Sequence, residues 1–389
     1  MQTSTSSRAR SGNSIMKRLA GFSLIELMVA ITLGLLLTGG LVQLFTSTKV
    51  TFRTNDALAR VQENGRFTLE VLKRELREAG TNGFCAAQLE VKSHLRSADN
   101  LDDIFDAGRL IIGWEHAGTS AGDTEFSLPK DLTPPTGSGS WSGRDLGALP
   151  PALAGRVVPG SDVLIIRRQQ PVPGVTANNT NNSAVNLNTN HGLANNPVVL
   201  ITDCATGADL FQVTNNENAN AFNLGGGSAS PGNDTPGGAG GFRWSTDYND
   251  SMQAFEIKVK AYYIGLSTRG EPALFEVDLS GDQASVTPQE LVGGVESMQI
   301  QYGFSRNPPT GDGQSIDDWL SADQIPTDGW GQVIAMRLGF IVRSEENADG
   351  STVEQTFDLA GVDVGTQGDG RMRHAFSTTI ALRNRLIVL

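Results

Sequence analysis

Between Phe22 and Phe45 the chain runs for 24 residues with a single charged side chain, Glu26. As a helix that run is long enough to cross a bilayer core, which needs about 20 apolar residues. A carboxylate five residues into such a run is costly in hydrocarbon and is a functional candidate for that reason. Beyond Phe45 the apolar positions thin to one stripe. Leu58, Val61, Gly65, Leu69, Leu72, Leu76 and Ala79 recur three and four residues apart, the spacing of an amphipathic helix. Glu70–Arg74 and Arg74–Glu78 stand four apart as opposite-charge pairs on the remaining face. Ala79-Gly80-Thr81-Asn82-Gly83 then supplies stop signals. Joined, the two patterns predict one helix from Phe22 to about Gly80, about 85–90 Å long at 1.5 Å per residue. Gly34 and the Gly39-Gly40 pair are its weak points. The pattern leaves open whether they kink the helix or allow close packing.

The rest of the chain alternates with period two. Phe255, Ile257, Val259, Ala261 and Tyr263 share one face of a predicted strand, with Glu256, Lys258 and Lys260 on the other. Ala273 to Leu279 follows a Ser-Thr-Arg-Gly turn and predicts a hairpin with it. Met298 to Phe304, Ile334 to Val342 and Met372 to Leu382 predict three further strands. Shorter apolar runs at Leu110 to Trp114, Val163 to Ile166 and Val198 to Thr202 read as more central ones. Such alternation implies antiparallel sheet with one face covered, and the amphipathic half of the helix is the expected cover. Residues 171–197 and 215–241, rich in Asn, Gly, Thr, Ser and Pro, read as flexible surface loops. A displayed, variable surface for a ligand is the sharper reading of the same stretches.

Composition narrows the function classes. The 389 residues carry a formal net charge of −12. Arg8, Arg10, Lys17 and Arg18 all lie before Phe22, so removing that segment leaves 26 basic against 42 acidic side chains. A surface of that sign speaks against nucleic-acid binding. Low charge content and 45 glycines fit a β-rich extracytoplasmic protein. No Gly-x-Ser-x-Gly, His-Glu-x-x-His or glycine-rich phosphate loop is present, so no catalytic residue is assigned and the chain is not expected to be an enzyme. Asp102-Asp103, Asp317-Asp318 and Glu345-Glu346 read as solvated loop acids. Asp247-Tyr248-Asn249-Asp250 and Thr310-Gly311-Asp312-Gly313 lack the full ligand series and closing Glu of a calcium loop. Four scattered histidines and no Cys-x-x-Cys make zinc unexpected. No metal site or cofactor is assigned.

Lys17-Arg18-Leu-Ala-Gly21-Phe22-Ser-Leu-Ile-Glu26-Leu resembles the leader and processing site of type IV prepilins and of type II secretion pseudopilins. The motif is short but specific: a glycine, an aromatic residue, and a lone Glu at the fifth position after the cut, all ahead of a long apolar helix. The resemblance implies that a prepilin peptidase cleaves between Gly21 and Phe22 and methylates the new Phe22 amine. It implies that Glu26 helps dock the subunit into a filament. Residues 1–21 are then leader, and Met16-Lys-Arg-Leu-Ala-Gly21, itself a complete one, points to Met16 as the start of translation. The expected organisation is leader 1–21, helix 22–80 with its membrane part at about 22–45, and a β-rich head over 81–389. The implied fold is α+β: a helical spine packed on an antiparallel sheet, with long loops.

Later patches resemble the PilW family of minor type IV pilins. They are Gln62-Glu-Asn-Gly65-Arg66-Phe67 with Leu76 to Gly80 leading to Cys85, then Ser161-Asp162-Val163-Leu164, and Thr202-Asp203-Cys204 with Ala208 to Phe211. Trp330 to Arg343 and Arg373 to Asn384 complete the series. One departure is Thr81-Asn82-Gly83-Phe84-Cys85, where the family often has a tyrosine and a Gly-Cys pair. The resemblance implies a head in the periplasm before assembly and on the pilus at the cell surface afterwards. It implies association with other minor pilins, the major pilin and the inner-membrane assembly platform, priming of assembly, a place at the tip, and presentation of a tip adhesin. A minor tip pseudopilin of a type II secretion system is the alternative, disfavoured by chain length. A tip adhesin using the Asn-rich loops is another. For a head outside the cytoplasm the even count of two cysteines, Cys85 and Cys204, suggests one disulfide. In the chain-entropy model, closing that loop removes about 4–5 kcal/mol of unfolded-state entropy. Two buried thiols or a metal site are the alternatives.

Overall fold

A computed structural model describes residues 21–79, 91–96, 102–106, 109–137, 139–225, 231–234, 243–280, 286–306, 315–348 and 353–382. The chain forms two compact units, Met1–Arg53 and Thr54–Leu389, divided within its long helix. That helix, α1, spans Leu24–Glu78. It begins two residues later and stops two residues sooner than the sequence pattern predicts. Helical hydrogen bonding continues through Gly34 and Gly39-Gly40. Cys85 and the predicted stop after Gly80 lie outside the described residues.

Strands are numbered in chain order. In the largest sheet the order is β1 (Val91–Ser93), β9 (Ala208–Gln212), β8 (Val198–Thr202), β11 (Gln253–Leu266), β5 (Val163–Pro171), β2 (Ile111–His116) and β4 (Trp141–Ser142). β12 (Pro272–Asp278) also pairs with β11, and β13 (Gln289–Gly293) with β12. β11 is the pivot. Its start bonds β8, its middle β5 and its end β12, so the strand with the cleanest alternation holds three neighbours in place. The predicted hairpin is present as β11–β12. Every pairing in this sheet is antiparallel except β1 with β9.

A second sheet runs β15 (Asp318–Leu320), β14 (Val295–Phe304), β16 (Val333–Asn347) and β19 (Arg371–Ala381). A third joins β10 (Ala221–Asn223), β7 (Ala184–Leu187) and β6 (Ala177–Asn181). The fourth joins β17 (Gln355–Leu359), β18 (Val362–Thr366) and, in parallel, β3 (Phe126–Ser127). The architecture is α+β, a long amino-terminal helix followed by sheets.

The third sheet corrects the reading of 171–197 as flexible loop. Val175, Ala177, Val185 and Leu187 pack with Phe211, Phe222 and Met252 in a small core of their own. The asparagines carry the polar side of the same hairpin. Asn181 Oδ1 accepts the N–H groups of Ser183 and Ala184 at the turn, and Asn186 donates to Asn179 at 2.6 Å. A few apolar residues at alternate positions, with Asn capping the turn, order a segment whose composition suggested none. Within 215–241 the structure places β10, while 226–230 and 235–241 lie outside the described residues.

In the unit Thr54–Leu389, one stripe of α1 enters the main core. Val61, Gly65, Leu72, Leu76 and Ala79 are buried, Leu69 is half-buried, and Leu58 stays at the surface. The predicted Glu70–Arg74–Glu78 ladder is replaced. Arg74 lies 3.5 Å from Glu75, and Glu78 pairs at 2.7 Å with Arg168 of β5. Longer-range partners draw the carboxylates away because an exposed i,i+4 pair contributes only a few tenths of a kcal/mol. Two polar contacts fix the depth of the stripe: Thr54 donates to the Ala348 carbonyl and Asn64 to that of Gly293.

At Gly65 the fit has no slack. A Cβ there would come within 2.2 Å of the Phe376 ring of β19, which stacks on Phe340 of β16 at 5.6 Å. In an unobstructed helix Gly→Ala stabilises by up to about 1 kcal/mol; here the displaced ring outweighs that gain. Gly65→Ala is expected to lower stability by about 1–3 kcal/mol, read by denaturant unfolding of the detergent-solubilised chain. Adding Phe376→Leu should restore part of the loss. A stabilised Gly65→Ala would refute the close approach.

Candidate functional site: the amino-terminal assembly helix

Ser23 starts α1 from outside it. Its Oγ accepts the Glu26 N–H at 3.2 Å, and its carbonyl accepts the Leu27 N–H at 3.1 Å. Ser-x-x-Glu is a helix-start signature, and the carboxylate of Glu26 stands in the first turn, where the helix dipole favours it. The sequence reading took Glu26 as a docking charge and missed that Ser23 and Glu26 together define where the helix begins. The spacing of the two residues was the available signal. Gly21 and Phe22 lie ahead of the first turn in non-helical backbone, with nothing within 4 Å of a Cβ at Gly21 and Phe22 81% exposed. Among the described residues nothing packs over the bond between them.

From Leu27 to Thr48 there is no charged residue. At 1.5 Å per residue this span is about 33 Å, against a hydrocarbon core of about 30 Å. The helix passes by length and composition as a membrane span, and none of its most apolar window is buried within the chain. Its threonine hydroxyls are satisfied locally. The hydroxyls of Thr32, Thr38, Thr46, Thr48 and Thr51 each donate to a carbonyl one turn back, at 2.7 to 3.0 Å. Back-bonding of this kind keeps hydroxyls acceptable in hydrocarbon.

Three polar clusters in the head bear on the other sequence-singled residues. Cys204 carries no free thiol and adopts the left-handed region, φ 58°. Its loop is shaped by Asp203, whose carboxylate accepts the N–H groups of Ala205, Thr206 and Gly207. Burial opposes ionisation of Asp203, but these bonds and that of the Thr206 hydroxyl outweigh it and hold the group well below the usual carboxylate range. Beside this loop, Asp209 of β9 is fully buried and accepts from His94 Nε2, Ser245 and Tyr248, each at about 2.5 Å. Burial alone would raise the Asp209 carboxyl; the three donors overcome it and lower it. The His, Ser and Tyr here all point at the one carboxylate of Asp209, so no serine is aligned for attack on a substrate. The cluster is a clasp between β9 and the 244–248 loop. Tyr248 within it occupies one of the stretches considered for calcium, while 307–314 lies outside the described residues. Among the described residues no His, Cys, Asp and Glu group is placed to hold a metal ion.

The third cluster joins the two large sheets. Asp162, just before β5, accepts N–H groups from His116 of β2 at 3.2 Å and Ile300 of β14 at 2.8 Å. Glu115 of β2 is buried beside it, its Oε1 accepting the Thr119 hydroxyl at 2.9 Å, with Asp323 nearby. Desolvation, then mutual repulsion with Asp162, pushes Glu115 well above the usual range; desolvation also raises Asp162, against the pull of its two amide donors. The pair therefore keeps a proton at neutral pH, with Asp162 the better-stabilised anion.

Two family models match the chain. The prokaryotic N-terminal methylation motif covers residues 16–42, and the type IV pilus-assembly protein W model covers residues 261–384. Comparison with curated proteins gives no match. Among solved structures, a type IV-like pilin from Thermus thermophilus is 16% identical, covering 34% of this chain and 70% of that one at a TM-score of 0.22. A methylation motif at the head of a capped, apolar, unburied helix defines a subunit of the type IV pilin class. Within that class, residues 261–384, from β11 to just past β19, match the PilW family of type IV pilus-assembly proteins. The family is structural, and it fits membrane anchoring and pilus association.

Unfolded carboxyls ionise near pH 4, whereas the folded pair holds its proton to higher pH. Between those limits the native state binds more protons than the unfolded one, so stability falls as pH rises. Unfolding free energies between pH 5 and pH 8 should decline by up to about 1.4 kcal/mol per unit for each retained proton. Glu115→Gln, which keeps a donor to Asp162 without titrating, should flatten that slope; an unchanged slope would count against the shared proton.

Proposed function

We propose that this chain is a minor pilin that joins other minor pilins in the inner membrane, primes pilus assembly and stands at or near the filament tip. The observation carrying the reading is the junction at Gly21–Phe22: an open peptide bond, a capped helix start and an apolar surface with no cover within the chain. Prepilin peptidase cuts there and methylates Phe22. The apolar helix holds the subunit in the membrane with its head on the periplasmic side. Assembly then exchanges lipid for neighbouring helices of other minor pilins and of the major pilin, at the assembly platform. In that apolar setting the Glu26 carboxylate needs a counter-charge, and the Phe22 amine of the same or a neighbouring subunit supplies it.

The head serves as a rigid cap, stapled by a Cys85–Cys204 bridge. Support for this pairing is that Cys204 is disulfide-bonded and the chain has one other cysteine. Its loop is already constrained by Asp203, so the bridge ties a preordered turn to the segment after α1.

Glu26→Leu is expected to leave membrane insertion intact while reducing recovery of the tagged chain in sheared pili at least tenfold. Equal recovery of variant and wild type would overturn the docking role. Cys204→Ser should cost about 2–5 kcal/mol of head stability, seen as earlier unfolding under non-reducing conditions; a variant matching wild type would exclude the bridge.

A further inference from the structure

Among the described residues, the last strand of the second sheet has a bare side. In the β16–β19 ladder Ala335 faces Ala381 and Phe340 faces Phe376, and the Leu382 N–H donates to the Ile334 carbonyl at 2.8 Å. In an antiparallel pair, bonded and non-bonded residues alternate. Ile380, Thr378, Phe376 and His374 therefore direct their backbone groups at β16. Ala375, Ser377, Thr379 and Ala381 direct theirs the other way, where β19 is the outermost strand. The edge thus presents four N–H and four C=O groups at every second residue. Three of these residues are exposed and Ala375 is half-buried.

Natural proteins blunt free edges with short strands, charges, prolines or bulges. The other edge strands of the described residues follow that practice. β1, β4 and β15 have two or three residues, and β13 carries Glu290 and a register shift against β12. β6 is short, Asn-rich and also shifted in register. β19 is 11 residues long. From Ala375 to Ala381 it has no charge, no proline and no shift in its ladder. Its inner face is already ordered, because Phe376 is clamped between Gly65 of α1 and Phe340.

We propose that the outer edge of β19 is a strand-docking site, occupied by an extended, uncharged segment of a different protein subunit. The occupant follows from the chemistry. Donors and acceptors alternating at strand spacing are matched together only by another backbone in extended form, as in β-augmentation. Side chains of the guest that fall on the Phe376 and Ile380 side meet an apolar face and are apolar themselves. Assigning the guest to a filament neighbour rests on the minor-pilin reading; the docking itself does not.

The placement of the free amides supplies a clean variant. Proline is tolerated on edge strands where its missing N–H would have faced solvent. Thr379→Pro removes an outward donor, whereas Thr378→Pro removes a bond to β16. A fluorescent peptide with the sequence of the uncharged part of β16, Leu338 to Val342, is titrated onto the detergent-solubilised full chain. Wild type is expected to bind it. Thr379→Pro should keep its melting temperature within a few degrees and bind at least tenfold more weakly, and Thr378→Pro should lower the melting temperature. No binding to folded wild type, or equal binding by a folded Thr379→Pro, would overturn the site whatever the protein's function. In piliated cells a photocrosslinking residue at Ser377 should join the chain to another pilus subunit, and Thr379→Pro should abolish that product. Crosslinks between two copies of this chain alone would overturn the assignment to a different subunit. Equal recovery of Glu26→Leu and wild type in sheared pili, with peptide binding intact, would instead fault the minor-pilin reading.

Discussion

An apolar helix surface with no partner in its own chain is the constraint on which the molecule depends. From Leu24 to Phe52 the large hydrophobic side chains of α1 are exposed. Several hundred Å² of such surface is untenable in water, so the segment exists only in lipid or against other helices. Local features of the stretch meet that condition. Ser23 caps the first turn, the threonines bond their own backbone, and charge is confined to Glu26 until Lys49. Farther along, the same helix changes character and becomes part of a core, because Val61, Leu72 and Leu76 have β strands to cover them.

Much of this was legible before any coordinates, for a physical reason. Periodicity reports which side of an element is covered, so clean alternation located β11, β14, β16 and β19, and the three-and-four spacing located the buried face of α1. Short apolar runs flanked by turn residues located β2, β5 and β8. The prepilin-like junction was legible because its recognition is local, confined to ten residues. The PilW-like patches at Trp330 to Arg343 and Arg373 to Asn384 fall on β16 and β19, inside the matched family region.

What escaped the sequence depends on contacts between distant residues. The hairpin β6–β7 was hidden by its asparagines, which here satisfy a turn and a strand pair while four apolar residues anchor it. The parallel pairing of β1 with β9 requires a crossover that no local pattern encodes. Glu115 and Asp162 were invisible as a pair, since they lie 47 positions apart and meet only when β2 and β5 pair. The helix charges were misassigned because Arg168 and Lys260, from strands far along the chain, compete for Glu75 and Glu78.

The threonines of α1 carry one more consequence. Because the hydroxyls of Thr32, Thr38, Thr46 and Thr48 are bonded to their own helix, these side chains offer few hydrogen bonds to their surroundings and lose few on changing them. Moving it from lipid to a packing of other helices exchanges one apolar solvent for another at a small free-energy difference. Such a segment is suited to leave the bilayer and return to it, with the lone carboxylate and the shape of the helix deciding where it rests.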